Sequence, residues 1–394
     1  MSKVATAGNY GKKIRSDCKV TLELRESGGI QVDLNSKVED YFGNKIVYLA
    51  REELKFFDIK HARLLIEDSG SLDFVLAARI EAAVKQLLDV DKEYLLPIIE
   101  QNKNETKKNR LRRSRLYLPG NTPKLALNAG IHKPDGIILD LEDSVAPTKK
   151  KEAAILVRNT LRSVNFYGAE RMVRINQLPR GLKDLEMVIP HNVNLILVPK
   201  CESSQQIKKV NEKIAEIQKD NKNKFAVWLM PIIESALGVI NSYEIASTKN
   251  VVAMAIGLED YTADLDAART KAGDESFFAR SQLVNSARAA RIQPIDSVYS
   301  DVNDMEGLKQ NVLNSKSLGF DGMGCIHPRQ IEVIHKNFAP TEDEIKKARK
   351  IVNAYEEAQN KGLGVVSLGS KMIDPPVVKR AQQTLKLANF ERNE

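Results

Sequence analysis

Ionisable residues recur where apolar runs end in this 394-residue chain. "GIILDLEDSVAP" (136–147) runs four apolar residues into Asp140, Glu142 and Asp143. "RMVRINQ" (171–177) carries Arg174, and "NLILVPK" (194–200) leads into Lys200 and Glu202. "AVWLMPIIE" (226–234) closes on Glu234, and "VVAMAIGLED" (251–260) closes on Glu259 and Asp260. A single carboxylate in such a place can be a cap or a salt-bridge partner. Several crowded together repel, so the set implies a shared proton or a cation among them. With oxygen donors and no Cys or His cluster, that cation is Mg2+ or Mn2+, which takes one or two carboxylates and keeps positions for water and substrate. The Arg174 guanidinium adds a two-toothed contact for an acidic substrate.

The elements that must position these residues follow from the spacing of the runs. With "RLYLPG" (115–120), "PIDSVYS" (294–300) and "GMGCIHP" (322–328) the apolar runs number eight, separated by helix-like segments. Near-continuous apolar strands alternating with helices imply a parallel sheet covered on its outer face, and eight of them fit an α/β fold of the (β/α)8 TIM-barrel type. An open doubly wound sheet is the alternative, but no glycine-rich dinucleotide or P-loop fingerprint follows the first run. In a barrel, chemistry sits at the carboxyl ends of the strands, so the acids, Arg174 and Lys200 share one mouth. His327 in "CIHPRQ" ends the eighth run and reads as a turn residue; Cys325 within that run reads as a buried, inert thiol. The remaining histidines show no paired spacing.

Residues 1–90 read as a small α+β domain. "CKVTLELRE" and "QVDLNSK" form a hairpin across "SGGI", residues 38–57 a helix, "ARLLIED" a third strand, and "LDFVLAARIEAAVKQLL" a second helix. Residues 91–112 turn polar and read as a charged linker, 113–340 form the barrel, and 341–394 add a helix, the loop "GVVSLGSKMIDPP" and a closing helix.

The net charge of +8 is partly local: residues 103–115 hold seven basic residues against one acidic. No aromatic interleaving accompanies the run, so it reads as a solvated linker and not as a nucleic-acid site, with Arg115 at its far end placed to help hold phosphates. No apolar run approaches the roughly 20 residues that span a bilayer. The first residues carry no apolar signal segment, and three scattered cysteines suit reduced thiols, so a cytoplasmic location is expected.

From about Arg113 onward the chain resembles the citrate lyase beta subunit family, with its citramalyl-CoA and malyl-CoA lyase relatives. The stretches "RSRLYLPGN", "GIILDLEDSVAP", "VRINQ", "PKCES", "PIIESALG", "GLEDY", "CIHPRQI" and "GSKMIDPP" carry the likeness. The resemblance implies that Glu234 and Asp260 ligate Mg2+ and that Arg174 holds a substrate carboxylate. It also implies that Asp374 enters a neighbouring subunit's site as the acid/base group, within a homotrimer or larger assembly. Glu142, Asp143, Arg115 and Lys200 are expected around the substrate. Residues 1–90 resemble the citrate lyase acyl carrier subunit through "SDCKVTLEL", "VEDYFG" and "IEDSGSLDFVLAARIEAAV". In that family a serine carries a phosphoribosyl dephospho-CoA arm. The usual motif puts it two residues before an aspartate; here Arg15 stands there before Asp17, which leaves Ser16 as the attachment residue or as a turn cap.

The implied reaction is cleavage of a 3-hydroxy-3-carboxyacyl thioester of a di- or tricarboxylic acid into a 2-oxo acid and an acetyl thioester. Citryl substrate gives oxaloacetate and citramalyl substrate gives pyruvate. An alpha transferase subunit is the expected partner if the arm is present. A chain acting on free CoA thioesters, and a non-catalytic scaffold, are the rival readings.

Overall fold

The computed structural model describes residues 3–220, 225–360, 362, 366–368 and 371–392. Four strands and two helices come first: β1 (Val4–Gly8), β2 (Cys18–Leu24), β3 (Ile30–Ser36), α1 (Glu39–Phe56), β4 (Ala62–Asp68) and α2 (Asp73–Leu87). The sheet order is β1-β2-β4-β3. The expected hairpin does not form: β2 pairs antiparallel with β4, and β3 pairs parallel with β4. Gly28 and Gly29, both at positive φ, carry the chain past the start of β4 instead of folding it straight back. There Gly29 N–H donates to His61 Nδ1, and Ala62 N–H donates to the Gly29 carbonyl. β1 escapes sequence reading because only two small residues, Ala5 and Ala7, with Gly8, face inward.

Eight parallel strands then close into a barrel. They are β5 (Ser114–Pro119), β6 (Gly136–Asp140), β7 (Glu170–Arg174), β8 (Leu195–Val198), β9 (Trp228–Ile233), β10 (Ala253–Ile256), β11 (Gln293–Asp296) and β12 (Gly322–Cys325), with β12 pairing back to β5. Every one lies within an apolar run read from the sequence, apart from one-residue shifts at the strand starts. The runs are continuous because both faces are buried. Ile138, Met172, Leu197 and Met230 fill the interior, while Ile137, Leu139 and Val173 pack against the helices.

Residues 91–112 connect the two units and are pinned at two buried residues, Asn102 and Arg112. The segment crosses the amino-terminal end of the barrel, where its cations meet acids at the strand starts. Arg112 is fully buried and bonds both oxygens of Glu170 at 2.7 and 2.9 Å, and Arg113 pairs with Asp135 at 2.9 Å. Asn102 Nδ2 donates to the Leu161 and Val164 carbonyls, and Trp228 Nε1 donates to the Thr106 carbonyl. The far end of the basic run thus becomes a buried latch, because Arg112 and Arg113 each meet a fixed counter-charge.

The front unit is docked through α2 on α4 (Lys150–Ser163), the helix after β6; α3 (Pro123–Leu127) precedes it. Arg158 bonds both oxygens of Glu81 at 2.8 Å, and Arg79 bonds both oxygens of Asp17 at 2.9 and 3.0 Å. Arg79 also reaches Glu152 and the Asn121 carbonyl, each at 3.3 Å. Gly8, at φ +85°, leaves room for this: a Cβ there would stand 1.9 Å from the Cys18 carbonyl oxygen and 2.9 Å from Arg79 Cδ.

Beyond the barrel, the helices Glu342–Asn360 and Pro375–Arg392 pack on each other around Ile351, Ile373, Val378 and Ala381, a cluster separate from the barrel core. The loop read across 364–376 lies only partly within the described residues. Among the described residues no helix is long and apolar enough to cross a membrane.

Candidate active site

A cavity of about 840 Å3 opens at the carboxyl ends of the strands, lined among others by Tyr117, Asp140, Asp143, Arg174, Glu234 and Asp260. Asp140 and Arg174 face each other in the β6–β7 register. Arg174 Nε and Nη2 donate to the two Asp140 oxygens at 2.7 and 2.8 Å, a planar two-toothed pair. Its Nη1 lies 2.8 Å from Glu142 Oε2 and 3.3 Å from Asp143 Oδ2, and the guanidinium sits 5.5 Å over the Tyr117 ring. The Glu142 contact is an ion pair too bent to be a hydrogen bond, which leaves Oε2 buried without a hydrogen-bond donor. The acid that ends β6 therefore fixes an arginine.

Glu234 ends β9 and is buried. Its Oε2 accepts the Lys200 N–H at 2.8 Å, while Lys200 Nζ donates to Asp260 Oδ1 at 2.8 Å. Lys200 adopts a left-handed φ of +45°, so one residue contacts both acids. Gly257 is required beside them, since a Cβ there would stand 2.5 Å from Glu234 Oε1. Burial pushes the Glu234 carboxyl up to about 8, with Asp260 and Glu142 adding to the shift against the Lys200 N–H and Arg174. Burial likewise raises Glu142 to about 7, opposed by Arg174. Burial would raise Asp140 too, but the hydrogen bonds and charge of Arg174 outweigh it and hold that carboxyl below its ordinary value.

Among the described residues no three His, Cys, Asp or Glu side chains converge as a ready metal cage. The donors present fit a divalent cation of the Mg2+ type: two carboxylates at an open mouth, one of them buried among other acids. Metal binding at pH 7 is expected to displace a proton from Glu234. Titration calorimetry in buffers of different ionisation enthalpy would reveal it, and identical heats in all buffers would contradict it.

Other sequence-read residues divide plainly. Glu202 accepts from Ser235 Oγ at 2.6 Å and belongs to the turn after β8; Glu259 pairs with Arg269. His327 lines the cavity but its Nδ1 accepts from Arg329 N–H, as a turn residue does. Cys325 is buried, and burial pushes its thiol up to about 12. Arg115 is not at a phosphate-facing rim: it is 1% exposed, inside the barrel on the cavity floor. Asp374 caps its own helix through Val377 N–H at 3.2 Å and does not line this cavity. Tyr117, beneath Arg174, was missed; its place at the centre of "RLYLPG" carries no distinguishing signal.

Residues 113–328 match the model of the HpcH/HpaI aldolase/citrate lyase family. The chain belongs to this family. Residues 2–87 match the model described as ACP, malonate decarboxylase delta subunit, in agreement with the carrier-like reading of the front unit. The citrate lyase beta subunit of Haemophilus influenzae is 40% identical over 283 residues, covering 71% of this chain and 97% of that protein. The mitochondrial citramalyl-CoA lyase of Homo sapiens is 33% identical over 290 residues, covering 70% and 85%. The Mycobacterium tuberculosis CitE structure with magnesium, acetoacetate and coenzyme A superposes with a TM-score of 0.61 at 27% identity, covering 72% of this chain and all of that one. Membership makes the chain an enzyme of the lyase class, built on the barrel that the eight apolar runs implied.

Proposed function

We propose that the chain is a Mg2+-dependent lyase that cleaves a citryl-type thioester to oxaloacetate and an acetyl thioester. The carrying observation is that Glu234 and Asp260 share one cavity with an Arg174 already locked in orientation by Asp140. Glu234 and Asp260 would hold the ion, and Mg2+ (or Mn2+) bound there would supply Lewis-acid stabilisation of the charge that develops on the substrate. Arg174 presents its outer edge to that carboxylate and sets the scissile bond in line. Lys200 holds the two acids in position, and Glu142 and Asp143 tune the charge on Arg174 from its far side. Asp374 of a neighbouring subunit takes the substrate hydroxyl proton as the carbon–carbon bond breaks and returns it to the thioester enolate. Its absence from this chain's own cavity lining and the separate core of the C-terminal helices support that exchange, in a trimer or larger assembly.

Citramalyl thioester, giving pyruvate, is the second reading, supported by the 33% identity to citramalyl-CoA lyase against 40% to the beta subunit. Assay of citryl-CoA and citramalyl-CoA with and without Mg2+ tests both: metal-dependent release of oxaloacetate supports the first, and release of neither 2-oxo acid overturns both.

The front domain extends the proposal to a tethered substrate, with an alpha transferase subunit reloading the arm. Ser16 is half-buried at φ +56°, its N–H held by the Ser69 carbonyl, directly before the buried Asp17 that Arg79 clasps. Through Arg79 this turn is tied to Asn121, in the loop just before Lys124 and Leu125 at the cavity wall. Protein from the native host is expected to carry an added CoA-like mass that Ser16→Ala removes. An unmodified chain in intact-mass spectra would leave free CoA thioesters as the substrate.

A further inference from the structure

We infer that Arg115 is the receptor for the extra carboxylate that distinguishes a citryl from a citramalyl thioester, a reading that rests on the lyase function above. Four arginines are fully buried: Arg79, Arg112, Arg115 and Arg158. Three of them are neutralised by carboxylates, through Asp17, Glu170 and Glu81. Arg115 forms no ion pair among the described residues. Its Nη1 donates only to the Met230 sulfur at 3.0 Å, a weak acceptor, its Nη2 to the Asp296 main-chain carbonyl at 3.3 Å, and its Nε to nothing.

The nearest acid cannot turn to it. Both oxygens of the Asp296 carboxylate are taken by Arg280, Ser315 and the Ser297 N–H. Of the acids at the mouth, Asp140 is bonded to Arg174, Asp260 to the Lys200 ammonium and Glu234 to the Lys200 N–H, and none has a bond to Arg115. An arginine keeps its charge at any ordinary pH, so a buried guanidinium without a counter-ion is a standing cost that the fold does not need. The cost is recovered when an anion arrives. Arg115 lines the same cavity as Arg174 and Glu234, so that anion is part of the ligand bound there.

Depth identifies which part. Arg115 is opposite Gly136 in the β5–β6 register, four residues below the Pro119–Asp140 pair at the rim. A substrate whose hydroxyl and adjacent carboxylate are engaged at the mouth by Arg174, Glu234 and Asp260 directs its remaining branch to the floor. In the citryl substrate that branch ends in a carboxylate; in the citramalyl substrate it is a methyl group, which leaves the guanidinium unpaired. A site built around a buried polar group rejects the analogue that lacks the partner.

The test is Arg115→Met, a replacement of similar length without charge, compared with the full-length wild type. Oxaloacetate and pyruvate binding are measured by calorimetry with saturating Mg2+, and kcat/KM is measured for citryl-CoA and citramalyl-CoA. Wild type is expected to prefer oxaloacetate and citryl-CoA. The variant is expected to lose about 10- to 100-fold on those two ligands with little change on the others, as for loss of a charge-assisted contact. Its thermal midpoint should hold or rise, because an unpaired buried charge has gone, and Arg115→Lys should keep part of the preference. Equal losses on both ligand pairs, or an unchanged preference, would overturn the assignment. If wild type cleaves neither thioester, the lyase reading falls first and takes this one with it.

Discussion

Glu234→Gln and Asp260→Asn should each lower kcat/KM by about a thousandfold or more at saturating Mg2+, on the scale of the several kcal/mol a metal contributes as Lewis acid. Either change would remove one of the two carboxylates proposed to hold the ion. Mn2+ binding, followed by electron paramagnetic resonance, should weaken in parallel. Turnover near the wild-type level in either variant would remove the metal pair from the mechanism.

The two variants separate in stability, which guards against a trivial loss of fold. Glu234 is buried and its carboxyl lies near 8 in the folded chain, against an ordinary 4.5. The folded state therefore binds the extra proton between those values, and stability falls as pH rises through that window. Gln carries no proton to lose, and its carbonyl oxygen still accepts the Lys200 N–H. Glu234→Gln should thus be at least as stable as wild type at pH 8 and should show a smaller decline, the part left coming from Glu142, which burial also raises, to about 7. Asp260 is half-exposed and bonded to the Lys200 ammonium, so its replacement should leave stability nearly unchanged.

The barrel was legible because its strands are apolar on both faces, a pattern that survives without knowledge of neighbours; "GIILD" reads the same whether Ile138 faces in or Ile137 faces out. The acids at the strand ends were legible for the same reason, since they stand directly after such runs. Pairing was not. Asp140 and Arg174 are 34 residues apart and meet only through the β6–β7 register, so the sequence shows two charged residues and hides the bond. The basic run 103–115 misled for a related reason: Arg112 and Arg113 gain their partners, Glu170 and Asp135, only once the barrel closes. The front hairpin failed because two adjacent strands with a glycine turn between them are the usual mark of direct pairing. Here β4 enters between them, and the glycines serve a longer crossing.

Arg158→Met should be the most destabilising of the single changes at the junction of the two units, by about 3–5 kcal/mol, because it strands buried acid. Glu81 would lose both 2.8 Å bonds and keep only Lys85 and the Tyr94 N–H. Glu53, buried with neither oxygen hydrogen-bonded, lies close enough to Glu81 to feel its charge, and burial already pushes its carboxyl well above the ordinary value. The pH dependence identifies the cause. In wild type, burial raises Glu81, but the hydrogen bonds and charge of Arg158 outweigh it and leave the carboxyl below 4.5, so that contribution is present above 4.5 and lost as pH falls through the lowered value. Without Arg158, burial dominates and the sign reverses: the folded variant gains protons before the unfolded chain does, and acid stabilises it relative to neutral pH. Denaturant midpoints of wild type and variant should therefore converge on acidification from pH 7 toward 5. The double change Arg158→Met with Glu81→Leu should recover much of the loss at pH 7, since an apolar pair replaces the buried ionic one and the charges released, Glu93 and Lys85, are partly exposed. A constant gap across pH, or no recovery in the double variant, would mean that packing and not charge holds α2 on α4.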